Sequence, residues 1–133
     1  MKYIPQSAPF EMIDELVSTN EGVSVTRLLI VASNVLVENN QFLEAGLLEN
    51  MAQTAAAGTG YLAAQKGLQP PVGYIGAIKG VQCKRLPKVG ECITTTITPS
   101  MTIGNVQVVN GEVRCEDELI ASAEFKIFLQ EEQ

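Results

Sequence analysis

The chain has 133 residues, 46% of them hydrophobic and 18% charged, with a formal net charge of −6 and no histidine. That balance predicts one globular domain over residues 1–133 with a real core, and excludes a disordered chain. An acidic chain without a basic stripe argues against nucleic acid, and the missing imidazole removes the usual agent of proton transfer near neutral pH.

Met1-Lys2-Tyr3-Ile4-Pro5-Gln6 lacks the apolar run of a signal peptide, so a cytoplasmic protein is expected. Ser7 is placed to cap a short turn from which Phe10 and Ile13 fold back on the core. Val17–Ser18 and Val23–Val31 predict a first hairpin through Asn20-Glu21-Gly22, and residues 32–42 a polar connection.

Leu43 to Lys66 reads as the only long helix, roughly 24 residues and about 36 Å, with Gly67 as its stop. The acidic and amide residues inside it, Glu44, Glu49, Asn50 and Gln53, make a membrane span improbable. Its many alanines, with Gly58 and Gly60, leave it thin; two interior glycines cost about 1 kcal/mol each, so their space has a use. Glu49 and Gln53 stand four residues apart on one face, where the amide can orient the carboxylate or simply bond water or backbone. A buried carboxylate is costly unless neutral, paired or used. Asn50 projects about 100° away, toward a different contact. Glu44 near the helix start favours the helix dipole and needs no further role.

After Pro70-Pro71 the pattern changes to strands: Gly73–Arg85, Glu91–Thr98, then Met101–Cys115 paired with Leu119–Leu129 over Glu116-Asp117-Glu118. Leu119, Ala121, Ala123, Phe125, Ile127 and Leu129 are expected on one face. Gly76 and Gly80 allow bulges or the close approach of a ligand, or else relieve crowding against the helix. Lys79, Lys84, Arg85 and Lys88 form either a solvated strand edge or a local positive rim. Cys83, Cys92 and Cys115 fit no metal or redox spacing and read as small buried hydrophobes in a reducing compartment. Two strands, a helix and four more strands predict an α+β fold, an antiparallel sheet curled about the helix.

Three segments in this order carry a resemblance. Ser7-Ala8-Pro9-Phe10-Glu11-Met12-Ile13-Asp14, Leu48-Glu49-Asn50-Met51-Ala52-Gln53, and Gly73–Cys83 continuing through Pro87-Lys88-Val89-Gly90-Glu91 resemble the 3-hydroxyacyl-carrier-protein dehydratases. The Met51-Ala52-Gln53-Thr54-Ala55-Ala56-Ala57 run is most similar to their ApeP-like subgroup. The resemblance implies a hotdog fold, one long central helix wrapped by a five- to six-stranded antiparallel sheet. It implies a dimer, either a homodimer or a heterodimer with a related hotdog subunit. The ligand implied is an acyl group on phosphopantetheine, borne by acyl carrier protein or coenzyme A, in fatty-acid or polyene-type biosynthesis. No metal or redox cofactor is implied. Glu49 matches the family's catalytic carboxylate, while Gln53 and Gly76 fall in matching segments as substrate-binding candidates. The family's histidine and its Phe-Pro segment are absent, the interval reading Val35-Leu36-Val37-Glu38-Asn39-Asn40-Gln41-Phe42.

Three functions remain open at this stage. The chain is half of a dehydratase whose histidine comes from a partner, a thioesterase in which Glu49 activates water alone, or an acyl-binding or scaffold subunit without catalysis.

Overall fold

The structure is a computed structural model describing residues 3–69 and 73–130. Its first hairpin joins β1 (Glu15–Asn20) to β2 (Val23–Leu29) through Glu21 and Gly22, both at positive φ. Two consecutive left-handed residues match the right-handed twist of the strands they connect. Asn39–Asn40 turns in the same way, helped by a side chain that tolerates this conformation. It links β3 (Val37–Glu38) to β4 (Gln41–Phe42), a small hairpin within the stretch expected to be a plain connection.

The long helix, α1, runs Glu44–Gln65 and stops where expected. Gly67 takes φ +69°, the Gly67 amide donates to Ala64 and the Leu68 amide reaches Ala63, so the last carbonyls are satisfied. Four strands follow: β5 (Gly73–Cys83), β6 (Cys92–Ile103), β7 (Val106–Cys115) and β8 (Glu118–Leu129). The turn at Pro70-Pro71 lies outside the described residues. The main sheet has six strands in the order β1-β2-β6-β7-β8-β5, all neighbours antiparallel, with α1 against its inner face. This is the hotdog fold. Among the described residues, no helix is long and apolar enough to cross a membrane.

Three local expectations are corrected. Met101–Cys115 is not one strand: Met101, Thr102 and Ile103 end β6, and the chain reverses over Gly104-Asn105, with Gly104 at φ +59°. Phe10 does not fold back on the core; it is 63% exposed, and Met12 beside Ile13 is buried instead. A bulge in β8 sets Val113 opposite Ala121 but Arg114 opposite Leu119. Ile120 is thereby the extra residue, and it is buried while Leu119 is only half-buried.

The core lies between α1 and the sheet. Phe42, Leu47 and Met51 meet Ile93, Ile97, Val109, Val113 and Phe125 there. The interior glycines of α1 do have a use. A Cβ on Gly58 would sit 1.9 Å from Ser24 Oγ, and one on Gly60 would sit 2.3 Å from the Tyr3 carbonyl oxygen. The first lets the helix lie against β2, and the second admits the N-terminal segment.

Candidate active site

α1 is not centred on its sheet. It packs chiefly on β1, β2 and β6, less on β7 and β8, and β5 lies at the far edge. On the crowded side, the polar residues of the helix are consumed by structure. Asn50 is fully buried: its Nδ2 donates to the Met12 carbonyl at 2.8 Å, and its Oδ1 accepts from the Thr95 hydroxyl. Thr54 donates to the Asn50 carbonyl and shares a 2.7 Å bond with Thr26. Asn50 thus makes the separate contact its helical position predicted.

On the other side a cleft of about 820 Å³ opens between α1, the N-terminal segment and the β5–β8 end of the sheet. The helix contributes Glu49 and then Ala52, Ala55, Ala56, Thr59 and Gly60, so small side chains create the space. Ile75, Ile127 and Leu129 form the sheet wall, with the amide of Gln107 among them, and Tyr3 to Gln6 the third wall. Among the described residues, no Lys or Arg lines it.

Glu49 is the acidic residue of the cleft and is half-buried. Its Oε1 accepts a 2.9 Å hydrogen bond from Gln53 Nε2. Among the described residues no ion pair neutralises it. Gln53 sits behind it, fully buried, and does not line the cleft. Besides holding Glu49, Gln53 donates to the Phe10 carbonyl at 2.9 Å and accepts from the Met12 amide at 2.6 Å. One amide thereby fixes both the carboxylate and the path of residues 10–12.

Gly76 does not join Glu49 at the cleft. It is the extra residue of a β5 bulge between Ile75 and Ala77, and a Cβ there would strike the Phe128 ring at 2.0 Å. Its space serves packing between β5 and β8. Gly80 has a positive φ of 60° and open space around it.

The four cations, read as a solvated strand edge or a positive rim, divide. Arg85 is bound through two bonds of 3.0 and 3.3 Å to Glu91 and one of 3.1 Å to Glu118, while Lys79 projects from the exposed edge strand. Glu91 also receives the Lys88 amide at 2.8 Å and the Cys115 thiol at 3.3 Å. The Arg85 guanidinium, then the Lys88 amide and the thiol, hold the Glu91 carboxyl down at about 2. Burial pushes the Cys115 thiol up. Only Cys115 is a buried cysteine as expected; Cys83 is half-buried and Cys92 exposed.

Reading the sequence missed the N-terminal wall. Its signal is the apolar residues at the two ends of the stretch, Ile4 at one and Met12–Ile13 at the other, all three buried.

Comparison with known proteins fits this architecture. A 3-hydroxyacyl-[acyl-carrier-protein] dehydratase, FabZ, of Oceanobacillus iheyensis is 28% identical over 128 residues, covering 87% of this chain and 89% of its own. Among solved structures, a chain of the dehydratase heterocomplex ApeI:P from Xenorhabdus doucetiae superposes with a TM-score of 0.88 at 12% identity, over 98% of this chain and 90% of that one. A hypothetical thioesterase with coenzyme A from Streptococcus pneumoniae gives 0.73 at 13% identity, over 90% and 87%. The family model describing the ApeP-like ApeP dehydratase matches residues 1–133, and the chain belongs to that family.

Proposed function

We propose that the chain is an acyl-thioester-binding half of a dehydratase, completed by a hotdog subunit that supplies a histidine. The observation carrying this reading is Glu49, held by Gln53 in the lining of a largely apolar cleft, in a chain without histidine. A cleft of this volume suits a small-molecule chain with few polar anchors. Its sheet wall is unfinished: Ile75 and Ile78 on β5 are 44% and 40% exposed, and β5 is a free edge of 11 residues. A second hotdog subunit would cover this face, and the heterocomplex among the similar structures supports such a pairing.

Dehydration of a 3-hydroxyacyl thioester breaks the carbon–hydrogen bond at C2 and the carbon–oxygen bond at C3, leaving an enoyl thioester and water. One group takes the α-proton and another delivers a proton to the departing hydroxyl. Glu49 performs one of these transfers and the partner's imidazole the other. Gln53 acts as a positioning residue, fixing the carboxylate without touching the substrate. The acyl group arrives on phosphopantetheine, and the pathway is fatty-acid or polyene-type assembly.

The test assays this chain, a histidine-bearing hotdog homologue, and their mixture on 3-hydroxyacyl thioesters. The mixture is expected to exceed the sum of its parts. Glu49→Gln should cut that increment by a factor of about 10²–10⁴ while leaving the circular dichroism unchanged. Equal activity of the homologue alone and of the mixture overturns the proposal. Hydrolysis of acyl thioesters by the chain alone, abolished by Glu49→Gln, would instead establish the thioesterase reading, which the coenzyme A-bound thioesterase of similar fold keeps in view.

A further inference from the structure

The N-terminal segment is built into the cleft wall. Its anchors lie at both ends of one stretch of α1. Near the helix start, Asn50 and Gln53 grip Met12 and Phe10 through three bonds of 2.6–2.9 Å. Further along, the Tyr3 carbonyl lies where a side chain on residue 60 would stand, and the Tyr3 ring meets Tyr61 edge to face at 5.5 Å. Ile4 is buried with Ile13 and Ala57 in a second small core, so the strap is packed between its anchors.

The strap therefore runs antiparallel to the helix, and its end reaches the cleft well beyond the carboxylate. Gly60 stands eleven positions beyond Glu49, about 16 Å along the axis. An acyl chain whose thioester end reacts at Glu49 meets Tyr3 at that depth. The wall there is aromatic and braced by a second ring, whereas the helix side offers only the small residues Ala56, Thr59, Gly60 and Ala64. Edge-to-face rings resist displacement more than a lone side chain does.

We infer that Tyr3, braced by Tyr61, sets the length of acyl chain the cleft accepts. This rests on the acyl-thioester reading of the same site. Gly60 is the sequence feature that makes the device possible, because any side chain there would push the strap outward. The chemistry selected is a straight apolar tail; tails that end before Tyr3 are fully housed, and longer ones must displace it.

The experiment measures binding of straight-chain acyl-coenzyme A thioesters, from butyryl to stearoyl, to the full chain alone and with a histidine-bearing subunit. The wild type should show an affinity maximum at one length. Tyr3→Ala should move it to longer chains, each methylene newly accommodated adding roughly fourfold in affinity. Tyr61→Ala should move it the same way, which keeps the test alive if the first variant folds poorly. Tyr61→Phe, retaining the ring contact, should leave the profile in place. A maximum that neither alanine variant shifts overturns the ruler while leaving the acyl reading intact. Folded wild-type protein that binds no thioester of any length overturns the acyl reading, and the ruler with it.

Discussion

The two long sides of α1 were built from different materials. Toward β2 and β6 the helix presents Leu47, Asn50, Met51 and Thr54, all buried, with every polar group among them answered by a neighbour. Toward β5 it presents Glu49 and a run of small residues, and the partner surface stands back to leave the cleft. One side fixes the helix; the other keeps a volume open. Polar residues teach the same lesson: Asn50 and Gln53 are tied at both side-chain atoms and structural, whereas Glu49, directly before Asn50 in sequence, has one bond to Gln53 and faces the open volume. Placement on the helix separates the residues that hold the fold from the one that meets the cleft.

That contrast can be broken from the packed side first. Asn50→Ala strands the Thr95 hydroxyl and the Met12 carbonyl in a dry interior. Unfolding in urea should show a loss of about 2–4 kcal/mol. A loss below about 0.5 kcal/mol would mean that this side is as tolerant as the other. On the open side, Ala52→Leu adds bulk where space is the product. Stability should change by less than about 1 kcal/mol, while acyl-thioester affinity falls about tenfold or more, a change near 1.4 kcal/mol. Isothermal titration with one acyl-coenzyme A settles it, and undiminished binding would show that the cleft is not the acyl site.

The smallest expected effect concerns the loop of residues 84–91 that closes the packed end. Glu91 is held at about 2 against an ordinary 4.5, mainly by Arg85. A depressed carboxyl contributes stability fully above the ordinary value and loses it as pH falls from there toward the folded one. The pair is a quarter to a third exposed, so the contribution is discounted to about 1 kcal/mol. Denaturation midpoints of wild type and Glu91→Gln should differ at pH 6 and converge as pH falls through 4.5 toward 2. A gap that persists at low pH would assign the difference to lost hydrogen bonds instead.

Much of this was legible from sequence because it is local. The helix and its stop are written in the apolar run and Gly67, and the first hairpin in Asn20-Glu21-Gly22. The carboxylate–amide pair follows from a spacing of four residues. What escaped was decided at a distance. Gly104-Asn105 lies between two apolar stretches that alternate alike, so the reversal was hidden inside what read as one strand. The Ile120 bulge exchanges one aliphatic residue for its neighbour, a choice made by β7. Gln53 looked like a pocket residue, yet its remaining bonds go to a segment 41 positions away, which periodicity cannot reveal. Gly76, read as room for a ligand or for the helix, is room for Phe128 of β8.

The bond from the Met12 amide to Gln53 spans 41 residues, and it carries a consequence for biosynthesis. At 5–20 residues per second, the ribosome needs about 2–8 s to make that interval. Throughout this wait Met12 and Ile13 have no helix to dock on, so a nascent chain exposes a sticky segment. Chaperones that survey emerging polypeptides have a defined window in which to hold it, and the window shuts when α1 arrives.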